Sequence, residues 1–345
     1  MDATKTLASL LKYLRAHPII CLLLLSPGIP EYISSSSRFN AIVLNPALFV
    51  LQLLLNLGLY GPGVILIREA TIRWKKGWAT VLLLGAAYGI LEEGIALSTL
   101  YNPLAGPVSK LGYYGHYLGV NWIWLSAILP VHMIFSISLP ILLLGLALPE
   151  TNGKSLVISR KGIASAFVIL GIDVSILFLL ILLGEHYWMG WPIFVSSFAT
   201  IGLLILLAKH VPTGLLHART NTPKISPLRI GIVGALFYTS VLLVEQLGIG
   251  TGAPALADLV FVIAIEALFL IYVQNTIGHE KNARQLIALA AGLTLPIAAI
   301  GLIAEIRLPL VLVVDFAFGI FIWKLLRNER ISAEAPTTDL KGRGC

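Results

Sequence analysis

The sequence predicts an all-α protein, a polytopic bundle of about ten transmembrane helices with both termini in the cytoplasm. Composition is the first reason. Of 345 residues, 57% are hydrophobic and 12% charged, with a mean hydropathy of +0.90. A soluble domain carries about 25% charged residues, so this chain lacks the polar surface to cover a water-soluble globule. A soluble enzyme, a disordered protein and a nucleic-acid-binding module are excluded. The second reason is periodic length. A span needs about 20 apolar residues to cross a hydrocarbon core of about 30 Å, and such stretches recur at 8–29, 41–67, 78–101, 118–148, 163–184, 191–209, 229–248, 253–275, 285–304 and 308–325. The third reason is charge placement. With the N-terminus inside, 21 Lys and Arg fall on inner segments, and only Arg38, Lys110 and Arg307 fall on outer ones. That asymmetry orients a multi-pass chain in a cell membrane. The net charge of +7 is thus a topology signal. The partner it implies is the lipid bilayer, with no nucleic acid.

Along the chain, Lys12 and Arg15 interrupt the first stretch, and its clean run from Pro18 to Leu25 is as short as a signal-peptide core. Pro27, Gly28 and Pro30 follow in place of a small-residue cleavage pattern, so the segment is read as a retained helix. Four serines at 34–37 form a polar outer linker, and span two carries Asn45, Gln52 and Asn56. In span three, Gly85 and Gly89 have the GxxxG spacing that lets helices approach closely. Trp74, Trp78 and Trp323 mark inner boundaries; Trp122, Trp124, Trp188 and Trp191 mark outer ones, where amphipathic rings prefer to sit. The helices of 1–148 carry the informative acids, 149–327 adds further spans, and 328–345 reads as a disordered cytoplasmic tail. Two cysteines, Cys21 and Cys345, provide neither a disulfide framework nor a thiolate metal site.

Ionisable residues at membrane depth cost about 2.5–3.5 kcal/mol each for Asp, Lys or Arg, so they mark a cavity, a partner or a substrate path. Glu92 and Glu93 stand side by side in span three. Neighbours on a helix differ by about 100°, so the two acids face different directions: Glu93 continues the Gly85–Gly89 stripe and Glu92 follows Tyr88. Two carboxyls this close in a low dielectric do not both ionise freely, which suits general acid–base chemistry. His132 lies in span four. Glu92 is about 21 Å from Trp78 and His132 about 24 Å from Leu148 at 1.5 Å rise per residue. Because the two spans run antiparallel, the imidazole and the acids share one depth. Asn121 sits on the His132 face at i, i+11 spacing. Asp173, Glu245, Glu266 and Asp315 are further embedded acids. Glu185, His186 and His116 read as interfacial. No HExxH occurs, and Glu92, Glu93 and His132 lack zinc-motif spacing, so no metal or cofactor is expected.

A Glu-Glu pair in one membrane helix with a histidine in the next resembles the CAAX-protease and bacteriocin-processing (CPBP) superfamily of intramembrane glutamic proteases. The first family motif, EExxxR, is matched by Glu92-Glu93 with Leu97 at the arginine position; the second, FxxxH, is matched by His132 with Ile128 for phenylalanine. The third, HxxxN or HxxxD, has no clean match, since Gly190 follows His186 by four. The resemblance spans about residues 27–148, through PEYISSSS, GAAYGILEEGIALSTLYNP, LGVNWIWL and VHMIFSISLPILL. It implies a metal-independent endopeptidase cutting a membrane peptide or protein. Glu92 would be the base, Glu93 its support and His132 the partner that positions water, with Asn121 as oxyanion donor. The competing expectation is a non-enzymatic membrane protein, a proton- or cation-coupled transporter or a scaffold. That reading needs a polar path from Glu92 and Glu93 to Asp173 or Glu266, and no inverted repeat accompanies it.

Overall fold

The computed structural model describes residues 13, 16–216, 225–277 and 283–334. It is largely helical, with ten longer helices among the described residues. These are α1 (Pro18–Ile33), α2 (Pro46–Arg73), α3 (Trp78–Ala96), α4 (Trp122–Ala147), α5 (Arg160–Glu185), α6 (Trp191–His210), α7 (Pro227–Thr251), α8 (Ala255–Thr276), α9 (Ala283–Ala304) and α10 (Val311–Glu334). Eight of them, α2 to α9, are long and apolar enough to cross a membrane. The helix α1 is shorter, and the second half of α10 carries Lys324, Arg327 and Glu329. The expected tail is shorter than Asn328 onwards, because α10 continues to Glu334; residues 335–345 lie outside the described residues.

Two apolar clusters form the core. The first joins Tyr60 and Val64 of α2, Leu84 and Tyr88 of α3, Ile137 and Leu144 of α4, Val174 of α5 and Ala208 of α6. The second joins Phe135, Leu139 and Leu143 of α4 with Phe237 of α7, Leu293 of α9 and Ile322 of α10. Helix α1 gives Leu22 to the first and Ile29 to the second. Packing therefore divides after α6. Helices α5 and α6, which follow residue 148, complete the first cluster. Helix α3 is the central strut: 83% of its most apolar stretch is buried, against 11% for α6 and for α8. A helix walled by protein can hold acids that a lipid-facing one could not.

The small stripe of α3 sets its approach to α4. A Cβ on Gly85 would lie 3.0 Å from Met133 Cα, and one on Gly89 would lie 2.9 Å from Leu129 Cδ1 and 3.2 Å from His132 Cβ. The GxxxG spacing thus brings the backbone carrying Glu92 and Glu93 against the turn carrying His132. A second close crossing joins α7 and α9, where a Cβ on Gly292 would collide with the Gly231 carbonyl.

Among the described residues four helices loosen into π-helical turns: Gly28–Ile33 in α1, Ile90–Ala96 in α3, Val131–Ser138 in α4 and Ile181–Glu185 in α5. Two begin directly after a proline, Pro27 and Pro130. Proline donates no backbone hydrogen bond and crowds the carbonyl four residues back, so the ladder re-forms with a wider turn. Single π turns recur at functional sites.

At the end of α2 a buried pair holds the 149–158 segment. Arg68 donates to the Thr151 carbonyl at 2.6 Å, and Glu69 Oε1 accepts from Leu156 N at 2.7 Å. Helices α2 and α5 are also keyed at Gly58, where a Cβ would lie 2.6 Å from Asp173 Oδ1.

Gly292→Ala is expected to destabilise the fold by about 1–3 kcal/mol through overpacking. Gly171→Ala, where a Cβ meets nothing within 4 Å, should gain up to about 1 kcal/mol of helix propensity. Thermal unfolding midpoints in detergent check the opposite signs.

Candidate functional site

Glu92, Glu93 and His132 meet in the buried core, exposed by only 2%, 6% and 2%. His132 Nε2 lies 2.9 Å from Glu93 Oε1 in a hydrogen bond. His132 Nδ1 lies 3.2 Å from Glu92 Oε2 and 3.3 Å from Ser136 Oγ. The acids diverge around α3, as adjacent residues must, and the imidazole fills the space between them. Each acid addresses a different ring nitrogen.

The two acids are not equivalent. Both oxygens of Glu93 are committed: Oε1 to His132, and Oε2 to the Thr99 hydroxyl, which donates to it. Thr99 is itself fixed, because Trp124 Nε1 donates to its oxygen at 3.2 Å. Glu92 Oε2 is buried and makes no aligned hydrogen bond. Buried polar atoms are normally satisfied, and an exception asks for a water or a ligand. Glu93 thus holds the ring with both oxygens engaged, while one oxygen of Glu92 has no aligned hydrogen bond. The three side chains also present ligand atoms within 4.8 Å of one another. The spacing that no linear motif displays is therefore created in space, and the set could hold one divalent cation.

A wall of aromatic rings closes the site. Tyr60 lies over His132 with ring centres 6.3 Å apart and planes at 24°; Tyr88 meets it edge-on at 6.0 Å and 63°. Tyr60 donates at 2.6 Å to a fourth acid, Glu31 Oε1, and Ser37 Oγ donates to Glu31 Oε2 at 2.7 Å. Glu31 is close enough to interact electrostatically with Glu92 and His132. Ser26 fixes α1 here by donating to the Ser136 carbonyl at 2.6 Å. Glu31 is the residue that reading the sequence missed. Pro27, Gly28 and Pro30 look like a helix end, yet the chain continues as a π turn to Ile33 and carries the acid inward. The serine linker is likewise more than a spacer, since Ser35 and Ser37 are buried.

Asn121 is a correction. It is the N-cap of α4: its oxygen accepts from Trp124 N at 2.8 Å, and its amide donates to the carbonyls of Leu111 at 2.6 Å and Gly112 at 3.2 Å. Both amide hydrogens are committed to the loop, so it has none to give an oxyanion. Capping explains its position, because the first amides of a helix need an acceptor. His116 and Glu185 are loop ties, to the Tyr101 carbonyl at 3.1 Å and from Asn102 Nδ2 at 3.0 Å. His186 ends α5 in the left-handed conformation, at φ 53°. Asp173 interacts electrostatically with Glu92, and its Oδ2 is buried without a partner. Glu245 and Glu266 interact with each other, and Glu245 also with Asp258, which places them in a separate acidic group on α7 and α8. Asp315, on α10, interacts with Glu305.

Glu93→Gln should destabilise the fold by about 1–3 kcal/mol by leaving buried groups mismatched, and Glu92→Gln by clearly less. Thermal unfolding of the two purified variants makes the comparison, and an equal or reversed order would contradict the division of roles. Comparison with family models, with curated proteins and with solved structures finds no match.

Proposed function

We propose that this protein is a CPBP-like intramembrane hydrolase that cuts a peptide bond within the bilayer of the cell membrane, with both termini on the cytoplasmic side. The observation that carries the reading is Glu92 Oε2, buried without an aligned hydrogen bond and 3.2 Å from an imidazole that Glu93 already holds. A water admitted with the substrate and held by Glu92 beside the His132 ring gives its proton to Glu92 as its oxygen attacks the peptide carbonyl. The same proton passes to the amide nitrogen as the carbon–nitrogen bond breaks, leaving an acid and an amine. General-base assistance of this kind is worth about 10²–10⁴ in rate. Glu93 and Thr99 fix the ring, and no step requires a metal. The site is sealed at rest, so substrate enters when α3 and α4 part, and the π turns on both helices are the places where the ladder yields most easily. Gated closure that excludes water is common in enzymes.

One observation favours a second reading. Asp173 lies within electrostatic reach of Glu92 and has an unpaired oxygen, which is part of the path that a proton- or cation-coupled transporter needs.

One vesicle experiment separates the two. The protein is reconstituted with a pool of membrane-spanning peptides and an interior pH dye, and new peptide termini are identified by mass spectrometry. Hydrolysis predicts cleavage by the wild type, a loss of at least about 10² in Glu92→Gln, and no proton flux. Flux without cleavage, abolished by Asp173→Asn, would replace the hydrolase with the transporter.

A further inference from the structure

Hydrolysis at this site raises an electrostatic problem. Attack on a carbonyl puts negative charge on its oxygen, in a chamber already holding Glu31, Glu92 and Glu93. Such a charge needs a preorganised donor aimed at it, and Asn121 has none to spare. The donors around the triad can be taken in turn. Thr99 gives its proton to Glu93, Tyr60 gives its own to Glu31, and Trp124 donates to Thr99. Ser136 Oγ is paired with His132 Nδ1. Among the described residues three buried hydroxyls, those of Ser35, Tyr88 and Ser138, have no aligned partner, and of these the Tyr88 hydroxyl is the one that interacts with the Glu92 carboxyl.

The position of Tyr88 fits the task. It precedes Glu92 by one helical turn, and its hydroxyl lies beside that carboxyl. Its ring is clamped between the edge of His132 and a notch at Gly63, where a Cβ would lie 2.8 Å from Tyr88 Cδ2. The side chain is therefore held in one direction by packing, with its hydroxyl turned toward the Glu92 carboxyl and free of any aligned hydrogen bond. Two unsatisfied buried atoms, Glu92 Oε2 and Tyr88 Oη, mark where a base and a donor would flank one reacting carbonyl.

We infer that Tyr88 is a catalytic residue that donates a hydrogen bond to the carbonyl oxygen of the scissile peptide. This rests on the hydrolytic reading above. As water oxygen bonds to the carbonyl carbon, the π pair moves onto the carbonyl oxygen and the Tyr88 hydroxyl holds it there. The pair returns when the carbon–nitrogen bond breaks, and the phenol keeps its proton throughout.

The test uses the reconstituted full chain and a peptide that the vesicle experiment finds cleaved. Tyr88→Phe keeps the ring in its notch and should lower kcat by about 10²–10³, the effect of removing one oxyanion donor, with KM and the unfolding midpoint little changed. Replacing Tyr88 by 3-fluorotyrosine, a more acidic phenol, should preserve or raise kcat, which guards against a Phe variant that fails to fold. If Glu92→Gln is inactive while Tyr88→Phe cleaves within a few-fold of wild type, the donor role is overturned and the hydrolytic reading stands. If 3-fluorotyrosine abolishes turnover in a folded protein, the donor role is also overturned. If Glu92→Gln cleaves like wild type, or nothing is cleaved, both fall.

Discussion

The hydrogen bond between His132 and Glu93 is the interaction on which the site depends. It joins α3 to α4 at the one level where both carry π turns, and it fixes the imidazole so that its second nitrogen faces Glu92. Its surroundings are arranged to keep it. Gly85 and Gly89 let the two backbones close up, and Thr99, held by Trp124, occupies the other oxygen of Glu93. The pair is dry and walled by protein, where an electrostatic contact is stronger than in water. A buried acid with no partner would be expensive; this one has two.

The arrangement also separates two carboxyls that are chemically identical in the sequence. Glu93 is structural in its bonds and Glu92 is not. That difference arises because successive residues on α3 look in different directions, so one ring cannot satisfy both acids with the same nitrogen. Around them, Tyr60 and Glu31 form a second layer that reaches the turn after α1. Helix α1 brings Glu31 and Ser26 to this layer.

Much of the fold was legible in composition and in the length of its apolar stretches, because crossing a bilayer demands apolar helices of a fixed length. The meeting of Glu92, Glu93 and His132 was legible too, since counting residues from two helix ends places all three at one depth. Other features were not. Asn121 shares a helical face with His132, but facing the same way does not bring it near: it is about 16 Å away along the axis at 1.5 Å per residue, capping the helix. Glu31 was hidden by prolines that signal a helix end in sequence and a widened helix in space. The break in packing after α6 depends on which helices touch, and hydropathy carries no record of that. Ligand spacing was invisible for the same reason, since the three candidate atoms converge only when two helices cross.

The most direct test of the account is the state of the His132 ring itself. A chain with its other six histidines replaced, labelled with ¹⁵N-histidine and embedded in lipid, gives two nitrogen resonances in solid-state NMR. The account predicts that Nε2 is hydrogen bonded, that Glu93→Gln shifts it strongly, and that Glu92→Gln acts mainly on Nδ1. Ring nitrogens that respond to neither substitution, or an Nε2 with the shift of a free imidazole, would contradict the claim that these acids and this histidine form one site.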